Sequence, residues 1–167
     1  MAHLLERLIR HAFSTHRTTR RAYPARMLAR LHQAITQGEA HHSGEVHLIV
    51  EGSMPLRQIL HNSSSRQRAL DLFGTFRIWD TEFNNGVLLY INLADRKVEL
   101  IADRAASRAV PQERWQAICS GLREALRRAQ YEAGTMEAIR LIQSELHAVF
   151  PAEHRIENAL SDAPTVL

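Results

Sequence analysis

Oxygen donors crowd one short stretch of this chain. Asp80, Glu82, Asn84 and Asn85 stand just ahead of an apolar run, and Asp103 closes the strand expected beside it. Calcium takes about six to eight oxygens from carboxylates, amides and carbonyls, which makes Asp80, Asn84, Asn85 and Asp103 the candidate metal ligands. Their spacing is not that of an EF-hand loop, and Asn85-Gly86 also has the chemistry of a turn. His41-His42, with Glu39 and Glu45 close by, has the chemistry of a transition-metal or acid–base site. No third ligand stands at a recognisable spacing, and a histidine pair just past a helix C-terminus is also favoured by the helix dipole. Arg96 and Arg104 could meet phosphoryl oxygens, although exposed arginines need no such role. No nucleophile elbow, Walker loop, zinc spacing or dinucleotide fingerprint occurs, so no catalytic residue is assigned.

The elements that must position these residues are legible in the periodicity. Val87 to Ile91 is a continuous apolar run, expected of a strand covered on both faces. After the polar break Ala94-Asp95-Arg96, residues Lys97 to Ala102 alternate, which predicts an antiparallel hairpin. Glu45 to Glu51 alternates as well and predicts the first strand, with His47 as a satisfied core or edge histidine. Ser64 followed by Gln67 is a capping-box pattern opening a helix with Ala69, Leu72, Phe73 and Phe76 on its core side. Met27, Leu28, Leu31 and Ile35 mark a helix ending near Gly38. Pro111 opens another with Trp115, Ile118, Cys119, Leu122 and Leu126 inward, and Gly134-Thr135 is expected to separate it from the last helix, which carries Ile139, Ile142, Leu146 and Val149 up to Pro151.

Ahead of this core, Leu4, Leu5, Leu8, Ile9, Ala12 and Phe13 recur at helical spacing opposite Glu6, Arg7 and Arg10, an amphipathic helix expected to pack on the domain or on a partner. The charge is uneven: residues 1 to 38 hold seven arginines against Glu6 alone, while the whole chain of 167 residues carries only +3. Such a basic arm attracts an acidic lipid surface, nucleic acid or an acidic protein. Nucleic acid is the least favoured, because no aromatic interleaving or binding fold accompanies the charge. A single cysteine, Cys119, excludes an intramolecular disulfide framework and is expected to be a buried, inert thiol. No apolar run nears the ~20 residues of a membrane span and no signal-peptide pattern is present, so a cytoplasmic protein is expected, peripheral at most to the inner face of a membrane.

Ser43-Gly44-Glu45, Asn85-Gly86-Val87-Leu88-Leu89, Asp95-Arg96-Lys97-Val98, Ala102-Asp103-Arg104, Trp115 and Phe150-Pro151 together, in this order, resemble the TPM domain. That family is shared by a plant thylakoid-lumen phosphatase, photosystem II repair proteins and a nematode receptor-auxiliary protein. The resemblance, over roughly residues 25 to 151, implies an α/β class fold, a three-layer α/β/α sandwich around a small mixed sheet. It also implies an acidic cleft at the strand ends that binds calcium in some members, and a phosphatase activity attributed to some relatives. Where the family carries a glycine soon after the Asp-Arg pair, this chain has Ala105-Ala106. The expected organisation is therefore a basic amphipathic helical arm over residues 1–22, a TPM-like domain over 23–151 and a partly disordered tail over 152–167, with disorder from about Asn158. The expected role is a non-catalytic binding or accessory module acting with a membrane-associated partner. The alternative is a metal-dependent phosphomonoesterase.

Overall fold

The computed structural model describes residues 2–14, 16–152 and 160–167. Their order is α1 (Ala2–Phe13), α2 (His16–Ala22), α3 (Ala25–Glu39), β1 (Glu45–Glu51), α4 (Leu56–Leu60), α5 (Ser65–Thr75), β2 (Gly86–Asn92), β3 (Lys97–Ala102), α6 (Arg104–Ala109), α7 (Gln112–Arg127), α8 (Tyr131–Val149) and β4 (Thr165–Val166). The strands form one mixed sheet in the order β3-β2-β1-β4. β1 lies parallel to β2, with Glu45 opposite Gly86 and Glu51 opposite Asn92, and β2 turns antiparallel into β3.

Period-two alternation divides the core into two layers, as pleated strands require. Val46, Leu48, Val50, Val87, Leu89 and Ile91 pack against α3, α7 and α8. On the opposite face Ile49, Leu88, Tyr90 and Ile101 meet Ala69 and Leu72 of α5. The α/β/α sandwich expected from the sequence is thus the fold observed. Ser64 caps α5 as its pattern predicts, its Oγ accepting the Gln67 N–H at 3.0 Å. Gly86 is required by close approach, since a Cβ there would stand 2.0 Å from the Ile78 carbonyl oxygen.

Three local expectations are corrected. Gly134 and Thr135 lie inside α8; the break from α7 falls at residues 128–130, where Ala129 takes a left-handed φ of 57°. The glycine serves close packing, since a Cβ at 134 would meet the Ala125 Cβ at 2.5 Å. Thr135 bonds back to the Tyr131 carbonyl and is bonded to the Tyr23 hydroxyl at 2.9 Å. Disorder from about Asn158 is the second correction: Asn158 lies outside the described residues, but residues 160–167 run back to the sheet, where β4 pairs with Ile49 and Val50 of β1. His47 reaches the Ser161 carbonyl at 2.9 Å and the Thr165 hydroxyl at 3.2 Å, a tether whose two halves are far apart in sequence.

The third concerns the arm. α1 docks through its polar side, with His11 buried and Arg7 partly so. Of the apolar row expected to pack on the domain or on a partner, Leu5, Ile9 and Phe13 do not pack on the domain; they are 62%, 49% and 77% exposed. The reason is Asp95 in the β2–β3 turn, whose charge draws Arg7 and His11 inward and leaves the i, i+4, i+8 apolar row facing out.

Candidate functional site

The sheet has two ends, and the residues with chemistry gather at both. At the end where β1 and β2 begin, the structure brings Asn84, Asn85 and Asp103 together and leaves Asp80 aside. Asn85 is fully buried; its side-chain amide donates to the Ser43 carbonyl at 2.9 Å, and its backbone N–H donates to the Thr81 hydroxyl at 3.1 Å. Asn84, at a left-handed φ of 54°, accepts an Arg104 N–H on its side-chain oxygen at 2.8 Å and the Ala105 N–H on its carbonyl at 2.9 Å. Asp80 pairs with Arg77 at 2.5 Å at the surface. Asp103 caps α6 with Oδ1, which accepts the Arg104 N–H at 2.7 Å, while its Oδ2 is buried without a hydrogen-bond partner among the described residues.

A calcium cage needs about six to eight oxygens aimed at one point. Here most of the nominated oxygens and amides are engaged with the protein, and the Arg104 guanidinium stands among them. Among the described residues no three His, Cys, Asp or Glu side chains are placed to hold a metal ion. Among the described residues, the Asp103 Oδ2 and both ring nitrogens of the nearby His42 are buried without a hydrogen-bond partner, and of these only the Asp103 oxygen would take a cation as a carboxylate.

His42 lies close by and is buried, and burial lowers its imidazole to about 4, so it is neutral. Glu39 accepts the Val46 N–H at 2.6 Å. Burial chiefly, and then the neighbouring Asp162 and Glu45 carboxylates, push its carboxyl up to about 9 despite that N–H, so it holds its proton and shares it with Asp162. At this end Glu39 and His42 are thus both uncharged, and Asn85 is turned on the adjoining loops.

The opposite end is ionised. Glu51, 1% exposed, closes β1 and accepts the Arg68 Nε–H, shared between its two oxygens at 3.1 Å, an Arg68 Nη2–H at 2.5 Å and the Tyr90 hydroxyl at 2.5 Å. Asn92 donates to that hydroxyl at 2.9 Å and accepts the Asp95 N–H at 2.8 Å. The Asp95 carboxylate then takes Arg7, Nη2 at 2.7 Å and Nε at 3.1 Å, and lies 3.2 Å from His11 Nε2. Because His11 Nδ1 accepts the Met54 N–H at 3.1 Å, the ring proton sits on Nε2 and faces Asp95. Burial alone would raise the Asp95 carboxyl, but Arg7 and His11 outweigh it and hold it below its usual value.

Docked this way, α1 forms a ridge between two clefts that share Ile9. One, about 450 Å³, is mainly apolar and lies against Met54, Leu56 and Ile59. The other, about 580 Å³, opens beyond the ends of β1 and β2 and carries arginines in its wall. Sequence reasoning found the arm but missed this site. The available signal was a carboxylate in the hairpin turn matched to Arg7 and His11 one helical turn apart, at a sequence separation of 88 from Arg7.

The profile of the TPM domain family matches residues 25–145. The chain belongs to the TPM domain family. A similar solved structure is the NMR structure of BA42 protein from the psychrophilic bacterium Bizionia argentinensis sp. nov., at 20% identity over 86% of this chain and 94% of that one, with a TM-score of 0.75. At that identity the likeness is one of fold. No curated protein matches the sequence. Asp95 lies within the matched TPM residues, whereas Arg7 and His11 precede them, so the ionised end joins the TPM domain to its arm. No helix among the described residues is long and apolar enough to cross a membrane.

Proposed function

We propose that this TPM domain is a non-catalytic binding module that acts with a membrane-associated partner, its arm resting on the acidic lipid surface around that partner. The carrying observation is the outward row Leu5, Ile9 and Phe13 on a helix that is fixed to the domain by its polar side. Removing each such side chain from water is worth at most roughly 1.5–3 kcal/mol. Arg10, Arg17, Arg20 and Arg21 are exposed beside the row and add electrostatic attraction of about 1 kcal/mol per residue near an anionic leaflet. Leu56 and Leu60 of α4, 61% and 55% exposed, extend the apolar surface. Vesicles of phosphatidylcholine with and without phosphatidylglycerol test the reading by co-sedimentation. The wild-type chain is expected to bind the acidic vesicles, and Leu5→Asp to weaken binding about tenfold or more. Equal sedimentation of both proteins would end the proposal.

The second reading, a metal-dependent phosphomonoesterase, is favoured by the buried, unpartnered Asp103 Oδ2 beside Arg104. It requires the donors of that end to rearrange around a divalent ion. The purified chain and Asp103→Ala would be assayed on a generic phosphate ester with calcium, magnesium or manganese, and equal background rates would remove it. In parallel, calcium at ~100 times its Kd would add roughly 2.7 kcal/mol if the site binds it. Superimposable melting curves in calcium and in chelator would show no useful site.

A further inference from the structure

The cleft beyond the ends of β1 and β2 is walled by Arg10 of the arm, Arg96 of the β2–β3 turn, and Arg123 and Arg127 of α7. No Asp or Glu is among its lining residues. Four guanidinium groups round one opening repel one another, and Arg123 and Arg127, one turn apart on the same helix, carry a further like-charge cost. Their protein partners are weak: Arg127 reaches Glu124 at 3.5 Å, Arg10 reaches Asp95 at 3.9 Å, and Arg123 bonds the Ser120 hydroxyl at 2.9 Å. Such an arrangement is relieved by an anion, and guanidinium matches phosphate in a paired, charge-assisted geometry. The same cleft has an apolar side in Phe13 and Leu126, so a small hydrated anion would leave that wall wet. The cleft also lies on the side of the sheet where the parallel strands have their carboxyl ends, the side on which open α/β sheets bind ligands at a switch in strand order. β1 and β2 both end here.

We propose that this cleft binds the head of an anionic amphiphile: a phosphate monoester, held by Arg96, Arg123 and Arg127, attached to an apolar tail lying against Phe13 and Leu126. This rests on the arm acting at a lipid surface, and it names what the domain would take from that surface. The phosphate could come from a lipid or from solution, and the test separates the two.

Short-chain dihexanoyl phosphatidate, kept monomeric, would be titrated into the full chain by calorimetry, beside dihexanoyl phosphatidylcholine and inorganic phosphate. The expected result is binding of the phosphatidate about tenfold tighter than of either control, lost by about tenfold in Arg123→Glu/Arg127→Glu as charge-assisted bonds go. Arg96→Asn, a residue tolerant of the left-handed φ of 52° at that position, should weaken it in the same direction and serves if the double variant does not fold. Equal affinity for phosphatidate and phosphate would overturn the amphiphile, as would equal affinity for the zwitterionic lipid or no response to the arginine variants. Leu5 does not line the cleft. Leu5→Asp that loses vesicles but keeps phosphatidate supports the cleft as a contact separate from the one Leu5 makes. Vesicle binding that persists while phosphatidate fails removes the cleft and spares the arm.

Discussion

The two ends of the sheet solve the same problem in opposite ways. Both bury polar side chains among apolar neighbours, which costs free energy unless partners are supplied. Where β1 and β2 begin, Glu39 holds its proton, His42 stays neutral, and Asn85 satisfies backbone groups of the adjoining loops. Where those strands end, Glu51 with Arg68 and Asp95 with Arg7 form close ion pairs. A neutral network needs only its internal partners and encloses itself. An ionised one must import its counter-charge, and at this end the import is a whole helix, which arrives with its apolar row outward. The difference accounts for why the collection of donors that looked most like a site is mostly self-satisfied, while the surface proposed to bind lies at the other end.

The largest expected effect breaks the ionised end. Glu51→Ala would leave the Arg68 charge and the Tyr90 hydroxyl without their partner, and loss of one member of a buried pair costs roughly 3–5 kcal/mol. Thermal and denaturant unfolding would register it as a large drop in the midpoint; a shift no greater than that of a surface substitution would show the pair to be dispensable. At the neutral end, Asn85→Ala removes the amide that bonds Ser43 and exposes no charge, so about 1–3 kcal/mol is expected in the same assay. If Asn85→Ala proves costlier than Glu51→Ala, the contrast drawn between the ends is wrong.

The smallest effect is in pH, where Glu39 at one end and Asp95 at the other should respond with opposite sign. Glu39 has an ordinary value of 4.5 and is pushed up to about 9, so the folded chain retains a proton that the unfolded chain releases. Stability therefore falls as pH rises between those values. His42, lowered from 6.5 to about 4, gives stability that is lost as pH falls through that lower range, so Glu39 acts without this opposition above pH 7. Asp95 lies below its ordinary value of 3.8, and its contribution is lost only in acid below that value. Melting at pH 7 and pH 9 should thus show a modest decline that Glu39→Gln flattens, while the hydrogen-exchange protection of α1, taken relative to the intrinsic exchange rate at each pH, stays unchanged over the same interval. Loosening of α1 at pH 9 would contradict the assignment of charge to the two ends.

Local signals carried most of the fold. The run Val87–Ile91, the alternation of Lys97–Ala102 and the helical stripes were sufficient to place the sheet and its covering layers, because each reports burial within a few residues. Distant pairings were another matter. The orientation of α1 depends on Arg7 meeting Asp95, and nothing in the arm itself distinguishes an apolar row that packs from one left outside. β4 spans only Thr165–Val166, too short for any periodicity to mark it. Gly134 was misread because a glycine that permits a close helix crossing and one that ends a helix look alike in sequence. At the candidate site, residue type was legible and engagement was not. Asp80, Asn84, Asn85 and Asp103 have the right oxygens, but which of those oxygens are already taken by Arg77, Arg104, Ser43 and Thr81 is decided only by the fold.

β4 has a consequence for solubility. With the bonds from Leu167 N–H to the Val50 carbonyl and from Gly52 N–H to the Leu167 carbonyl, both 2.9 Å, that follow it, β4 covers the last part of the β1 edge that β2 does not, opposite Ile49 and Val50. An uncovered strand edge of that kind, rich in Val, Leu and Ile, is a template for strands of other copies. Proteolytic trimming of residues 160–167 would convert β1 from an interior strand into a sticky one, so those eight residues act as a guard against aggregation.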